Sequence, residues 1–174
     1  MEYDGRIYIY TTDDILSYDS NNNPVENNYS LIKTINCVSS DDLVNWTDHG
    51  AIKVAGPDGA AKWAGNSWAP CAAHKTIDGK EMFYLFFANG GNGICVLTSE
   101  SPTGPWTDPL GKPLITREIK GCEDVIWLFD PAILTDDNGS SYLYFGGGIP
   151  DEEFANPGTA RVVKLSEDLL SLEG

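Results

Sequence analysis

Basic side chains are scarce in this sequence, which has 11 Lys and Arg residues against 26 Asp and Glu residues and a formal net charge of −15. Proteins bind phosphate backbones and anionic lipid surfaces through clustered Lys and Arg side chains. We therefore expect neither nucleic acid nor a membrane surface as a partner. A neutral ligand fits this charge better.

Long apolar runs and paired cysteines are also missing. No run approaches the roughly 18 residues that a membrane-spanning helix needs, and the first residues, 1–5, have neither the basic nor the apolar region of a signal peptide. No Cys-x-x-Cys pair of the kind found in zinc sites is present. We expect the four cysteines to be small buried hydrophobic residues, although a disulfide stays open: Cys37, Cys71, Cys95 and Cys122.

Sustained helical periodicity is absent as well, which excludes a helical solenoid. The 174 residues suffice for one domain with a core, and the 18 glycines and 10 prolines favour many short strands. The polar segment 13–28 predicts a surface loop. Apolar and β-branched segments predict strands at 6–12, 31–39, 50–54, 82–87, 94–98, 132–135, 141–145 and 159–165.

An internal repeat organises these strands. Three residue pairs are each 60 positions apart: Trp46 and Trp106, Gly79 and Gly139, Tyr84 and Tyr144. A period of about 40–60 residues with four short strands per unit is typical of β-propeller blades. An immunoglobulin-like sandwich is the alternative, but it does not predict this self-similarity. The repeat predicts an all-β fold with blades at about 1–55, 66–117 and 125–174.

Asp130 lies between two apolar neighbours just before a predicted strand. Burying such a carboxylate is costly unless it has a partner or a task, and the plain alternative is an Asp that caps a turn before Pro131. The repeat places Asp130-Pro131 where the preceding blade has Ala69-Pro70. Because the innermost strands of a propeller line its channel, this position predicts Asp130 at the channel mouth.

Three segments together resemble glycoside hydrolase family 43, and more narrowly its arabinoxylan arabinofuranohydrolase and β-xylosidase members. They are NSWAP at 66–70, WLFDPA at 127–132 and SSDDLVNWTDHG at 39–50. The resemblance runs along nearly the whole chain. It implies a five-bladed β-propeller, of which about three blades are present, and hydrolysis with inversion at the anomeric carbon.

The resemblance also implies roles for individual residues. It assigns Asp130 as the carboxylate that orients the general acid and raises its pKa, which a nearby negative charge does by repulsion. It makes Trp68 and Trp127 aromatic residues of the sugar-binding cleft, and Asn66 and Phe129 are further candidates for substrate contact.

The catalytic pair falls outside this chain according to the resemblance. Inverting hydrolysis needs an acid and a base on opposite faces of the sugar. The base position falls before Met1 and the acid beyond Gly174, so we expect a fragment that does not catalyse by itself. We expect no required cofactor and assign no metal ligand, although the resemblance implies that calcium can occupy the full-length enzyme. It further implies an arabinoxylan or xylo-oligosaccharide substrate and a monomeric, extracellular parent enzyme, whereas the chain itself indicates no compartment.

Plainer interpretations stay open for several residues. Trp46 and Trp106 recur at the blade period, so we expect them to pack between blades rather than to bind a ligand. Trp68 and Trp127 fit a core or a cleft equally well, and Asn66 either binds a sugar hydroxyl or caps a strand. The alternatives for the whole chain are a non-catalytic carbohydrate-binding propeller and a propeller with a structural or interaction role.

Overall fold

Twelve strands and one short 3-10 helix form the part of the chain that the computed structural model describes, residues 1–148 and 158–173. The 3-10 helix is Tyr29–Leu31. The strands are β1 (Glu2–Tyr3), β2 (Arg6–Thr12), β3 (Leu16–Tyr18), β4 (Pro24–Asn27), β5 (Thr34–Ser40), β6 (Thr47–Lys53), β7 (Trp68–Ile77), β8 (Lys80–Ala88), β9 (Ile94–Ser99), β10 (Ala132–Thr135), β11 (Ser141–Phe145) and β12 (Arg161–Lys164).

Three antiparallel sheets follow one another along the chain. The first has the strand order β1-β2-β5-β6, the second β7-β8-β9 and the third β10-β11-β12, while β3 and β4 form a separate hairpin. Tight Asp-Gly turns join the first two strands of the first and second sheets. In these turns Asp4 and Asp78 have φ values of 49° and 50° and the following glycines have 71° and 77°. Asp and Gly tolerate this left-handed conformation, which the two-residue hairpin turn requires.

The second sheet is buried on both faces. Successive residues of β8 point in opposite directions, so Phe83, Leu85 and Phe87 enter a core shared with the first sheet. Tyr84 and Phe86 enter a second core, shared with the third sheet. A simple two-sheet sandwich has one core, whereas here the middle sheet lies between two. The all-β fold is part of a β-propeller, as predicted.

The turns that leave the third strand of each sheet share one backbone feature. Leu43, Gly104 and Leu169 all have left-handed φ values, of 61°, 95° and 60°. In the first sheet the Leu43 amide donates a 2.8 Å hydrogen bond to the Ser40 hydroxyl, which holds this turn. The repeat therefore extends to individual backbone torsions. The blade boundaries at about 1–55, 66–117 and 125–174 stay predictions. The last of these ranges includes residues 149–157, which lie outside the described part.

One expectation was wrong, and another is confirmed only in part. The segment 13–28 is not a plain loop, because it contains the hairpin of β3 and β4. Its turn is closed by the Asp19 carboxylate, which accepts hydrogen bonds from the amides of Asn21 and Asn23, and side-chain bonds of this kind are why Asn-rich and Asp-rich segments form turns. Trp106 is buried as expected, whereas Trp46 is 42% exposed, and its packing between blades stays a prediction.

The remaining structural expectations concern the cysteines and the membrane. All four cysteines are free, with Cys37, Cys95 and Cys122 buried and Cys71 partly buried. Burial raises the pKa of each of these thiols above its ordinary value. Within residues 1–148 and 158–173, no helix has the length and apolar character needed to cross a membrane.

Candidate functional site

A cavity of about 500 Å³ lies where the end of β2 meets the beginnings of β7 and β10. This volume is within the usual range for small-molecule sites. The Ala69 amide donates a 3.1 Å hydrogen bond to the Thr12 hydroxyl and thereby joins the first two sheets at the cavity wall. The lining residues are Thr12, Asp14, Tyr29, Trp68, Ala69, Trp127, Phe129 and Asp130.

Four aromatic rings form a continuous surface on this cavity. The centroids of Trp68 and Trp127 are 6.2 Å apart with an interplanar angle of 31°. Phe129 meets Trp127 edge-on at 5.3 Å, and Tyr29 meets Trp68 edge-on at 5.8 Å. These separations correspond to direct aromatic contact. No sugar ring fits between Trp68 and Trp127, so a ligand has to lie on the side of the rings that faces the cavity.

The orientation of Trp68 is fixed by the short 3-10 helix. Its indole N–H donates a 2.9 Å hydrogen bond to the Tyr29 carbonyl oxygen. The side-chain amide of Asn66 donates to the same oxygen at 3.0 Å and to the Ser30 carbonyl at 3.2 Å. Asn66 is not among the residues that line the cavity, and its contact with a sugar stays a prediction.

Trp127 rests on the turn between β8 and β9. The Leu128 amide donates a 2.9 Å hydrogen bond to the Gly91 carbonyl. A Cβ atom at Gly91 would lie 3.1 Å from the Cδ2 atom of Trp127, closer than an ordinary contact. The indole therefore lies flat against this glycine, and a side chain at position 91 would displace it.

Asp130 and Ala69 share an unusual backbone conformation. Both precede a proline, and their φ values are 52° and 43°. Residues other than glycine rarely adopt this left-handed region, and such strain is concentrated at functional sites. The shared torsion supports the equivalence of the two positions in successive sheets and places the Asp130 carboxylate at the cavity edge.

Asp130 is exposed as a residue. The protein nevertheless removes part of the water around its carboxyl group and so raises its pKa above the ordinary value for an aspartate, because removal of water disfavours the charged form. A second carboxylate of the cavity, Asp14, is exposed and accepts a 2.7 Å hydrogen bond from the Asn27 amide.

The structure thus brings together Trp68, Trp127, Phe129 and Asp130, and their contact with a sugar stays a prediction. Three other lining residues, Thr12, Asp14 and Tyr29, escaped the sequence interpretation. Asp14 and Tyr29 belong to or border the segment that was predicted as a loop. The only signal for them was the polar Asp13-Asp14 pair directly after a strand.

A calcium site does not emerge from the described residues. In that part of the chain no group of three or more His, Cys, Asp or Glu side chains is arranged to hold a metal ion. Calcium binds through several oxygen ligands at once, backbone carbonyls and waters included, and we assign no ligand for it among the described residues.

Successive antiparallel sheets with an aromatic-lined cavity at their strand ends define the class of a β-propeller with a small-molecule site. The chain belongs to the glycosyl hydrolases family 43, which it matches over residues 1–174. It is 54% identical over 184 residues to an arabinoxylan arabinofuranohydrolase of Paenibacillus polymyxa, a match that covers 100% of this chain and 29% of that protein.

Solved structures agree with this assignment. A family 43 arabinoxylan arabinofuranohydrolase from Bacillus subtilis, crystallised with cellotetraose, superposes with a TM-score of 0.93 at 51% identity, over 100% of this chain and 38% of that chain. An α-L-arabinofuranosidase from Clostridium thermocellum gives a TM-score of 0.74 at 38% identity, over 100% and 52% of the two chains. The chain spans about a third of the length of the two arabinoxylan arabinofuranohydrolases.

Proposed function

We propose that this chain forms part of the catalytic domain of an inverting glycosidase that removes arabinofuranosyl or xylosyl units from arabinoxylan-type polysaccharides. The observation that carries the proposal is the cavity in which Trp68, Trp127 and Asp130 meet. The similarity to arabinoxylan arabinofuranohydrolases supports the choice of substrate.

A neutral pentose suits this cavity because the cavity offers aromatic faces for the sugar ring and a few polar groups for its hydroxyls. The apolar C–H face of a sugar ring packs against aromatic faces, and indole N–H groups bond hydroxyls when they are not otherwise engaged. The Trp68 N–H is already bonded to Tyr29, so Trp68 offers its ring face and edge rather than a donor. Polar contacts to sugar hydroxyls then fall to Thr12, Asp14 and Asp130.

Asp130 acts in this proposal as a positioning carboxylate. A general acid has to remain protonated near the operating pH, and a negative charge next to it raises its pKa. The resemblance assigns neither the acid nor the base to a residue of this chain. The 174-residue chain by itself should therefore release no arabinose or xylose from arabinoxylan.

The test is the pH dependence of kcat for Asp130→Asn in the full-length protein that contains this chain. The change removes the negative charge with little change of shape. The pKa of the acid should fall, so the alkaline limb of the profile should move to lower pH while kcat decreases. An alkaline limb that stays in place would contradict the role of Asp130.

A non-catalytic carbohydrate-binding propeller is the second candidate. Four of the eight residues that line the cavity are aromatic, which serves sugar binding with or without hydrolysis. Full-length protein that binds arabino-xylo-oligosaccharides in calorimetry without releasing reducing sugar would favour this candidate. Release of arabinose or xylose favours the glycosidase.

A further inference from the structure

We infer that Arg117 is a positioning residue that holds Trp127 in place for sugar binding, an inference that rests on the proposed function for its consequence. Arg117 does not line the cavity. It lies on the loop between β9 and β10 and acts on the ligand only through the backbone segments that carry and support Trp127.

The guanidinium group connects two separate segments. Its Nε atom donates a 3.0 Å hydrogen bond to the Val125 carbonyl, and Nη2 also donates to the Ile126 carbonyl. Nη2 donates a 2.9 Å bond to the Gly91 carbonyl, and Nη1 lies 3.4 Å from the side-chain oxygen of Asn92. One side chain thus joins the residues directly before Trp127 to the turn on which the indole rests.

All of these acceptors are neutral oxygens. Within residues 1–148 and 158–173, the four ion pairs of the structure do not include Arg117. The planar guanidinium presents several donors in fixed directions, whereas a lysine ammonium is a single point. The guanidinium therefore binds several carbonyl oxygens at once. A lysine at this position cannot donate in the same geometry both to the residues before Trp127 and to the turn at Gly91.

The consequence for Trp127 follows from its two supports. The Leu128 amide shares the Gly91 carbonyl with Arg117, and the indole lies against the Gly91 backbone. If the guanidinium is lost, the segment before Trp127 is released from the turn, and the carbonyls of Val125 and Ile126 lose a partner. The indole should then sample positions that no longer match the sugar face.

The first experiment follows the Trp127 indole directly in the full-length protein. Its N–H resonance in protein labelled with 15N-tryptophan is assigned by its disappearance in Trp127→Phe. Arg117→Lys should shift or broaden this resonance. The matched control is Arg6→Lys, because the Arg6 guanidinium also donates hydrogen bonds, to the Ser39 hydroxyl and the Asp41 carboxylate, but does not line the cavity. A Trp127 resonance that is unmoved, or that moves equally in the control, overturns the inference.

The second experiment measures the effect on binding. Arg117→Lys should weaken the Kd for arabino-xylo-oligosaccharide by about tenfold, equivalent to about 1.4 kcal/mol, while Arg6→Lys leaves it unchanged. In a Trp127→Ala background the Arg117→Lys change should cause no further loss. Equal losses in both backgrounds overturn the inference. If the unaltered protein binds no sugar, the proposed function fails, and the resonance experiment alone decides whether Arg117 positions Trp127.

Discussion

Gly91→Ala is the sharpest perturbation of the proposed cleft, because it adds one methyl group under the Trp127 indole. The new Cβ would lie 3.1 Å from Cδ2 and 3.3 Å from both Cε3 and Cγ of Trp127. The ring has to move by a few tenths of an ångström to restore ordinary contact. The φ angle of Gly91 is not in the left-handed region, so alanine adds no backbone strain.

The expected magnitude combines two opposing effects. Alanine reduces the conformational entropy of the unfolded chain relative to glycine, which stabilises by about 0.4–1 kcal/mol. Overpacking costs about 1–3 kcal/mol, so the free energy of unfolding should decrease by between about 0 and about 2.6 kcal/mol. Displacement of the indole should cost about 1 kcal/mol of sugar binding, equivalent to a Kd about fivefold weaker.

Calorimetric titration of the full-length protein with an arabino-xylo-oligosaccharide measures this change. Gly65→Ala is the matched control: its φ is also outside the left-handed region, and its added Cβ would meet only the Asn89 side-chain oxygen, at an ordinary 3.6 Å. The control should leave the Kd unchanged. An unaltered Kd for Gly91→Ala, or an equal loss in both variants, would refute the placement of the sugar on Trp127.

Three further predictions follow from the same geometry. Trp127→Ala should weaken sugar binding by about 1–3 kcal/mol in calorimetry, the range measured when an aromatic that stacks on a nucleic-acid base is lost. Trp46→Ala removes an exposed indole outside the cavity and should not weaken binding. Equal effects would contradict the site. Asp130→Asn should raise the free energy of unfolding at about pH 7 but not at about pH 3. The reason is that the pKa of Asp130 is raised in the folded state, so the stability that its protonated form contributes is lost as pH rises through that pKa. Denaturant titrations at both pH values check this, and an equal gain at both would count against it. Gly147→Ala should lower stability by about 1–3 kcal/mol in thermal unfolding, since its Cβ would overlap the Phe129 ring at 2.1 Å, and a loss no larger than that of Gly65→Ala would refute this packing.

The elements that sequence predicted best are those with a local or repeated signal. The continuous apolar run of β8 predicted a strand buried on both faces. The structure confirms this, because alternate side chains of β8 pack in two different cores. The position of Asp130 followed from its equivalence to Ala69 in the repeat, and the matching left-handed torsions of the two residues support that equivalence.

The residues that sequence missed depend on contacts between distant parts of the chain. The bond from Trp68 to Tyr29 joins residues 39 positions apart, and the bond from Arg117 to Gly91 spans 26 positions. No local pattern signals either contact, since each depends on how sheets and loops come together.

A crystal structure of the full-length protein with a bound arabino-xylo-oligosaccharide tests the central claim most directly. The account predicts a pentose ring against the cavity-facing side of Trp127, with a sugar oxygen within hydrogen-bond distance of the Asp130 carboxylate. A ligand bound elsewhere, with the cavity between β2, β7 and β10 filled by water alone, would contradict it.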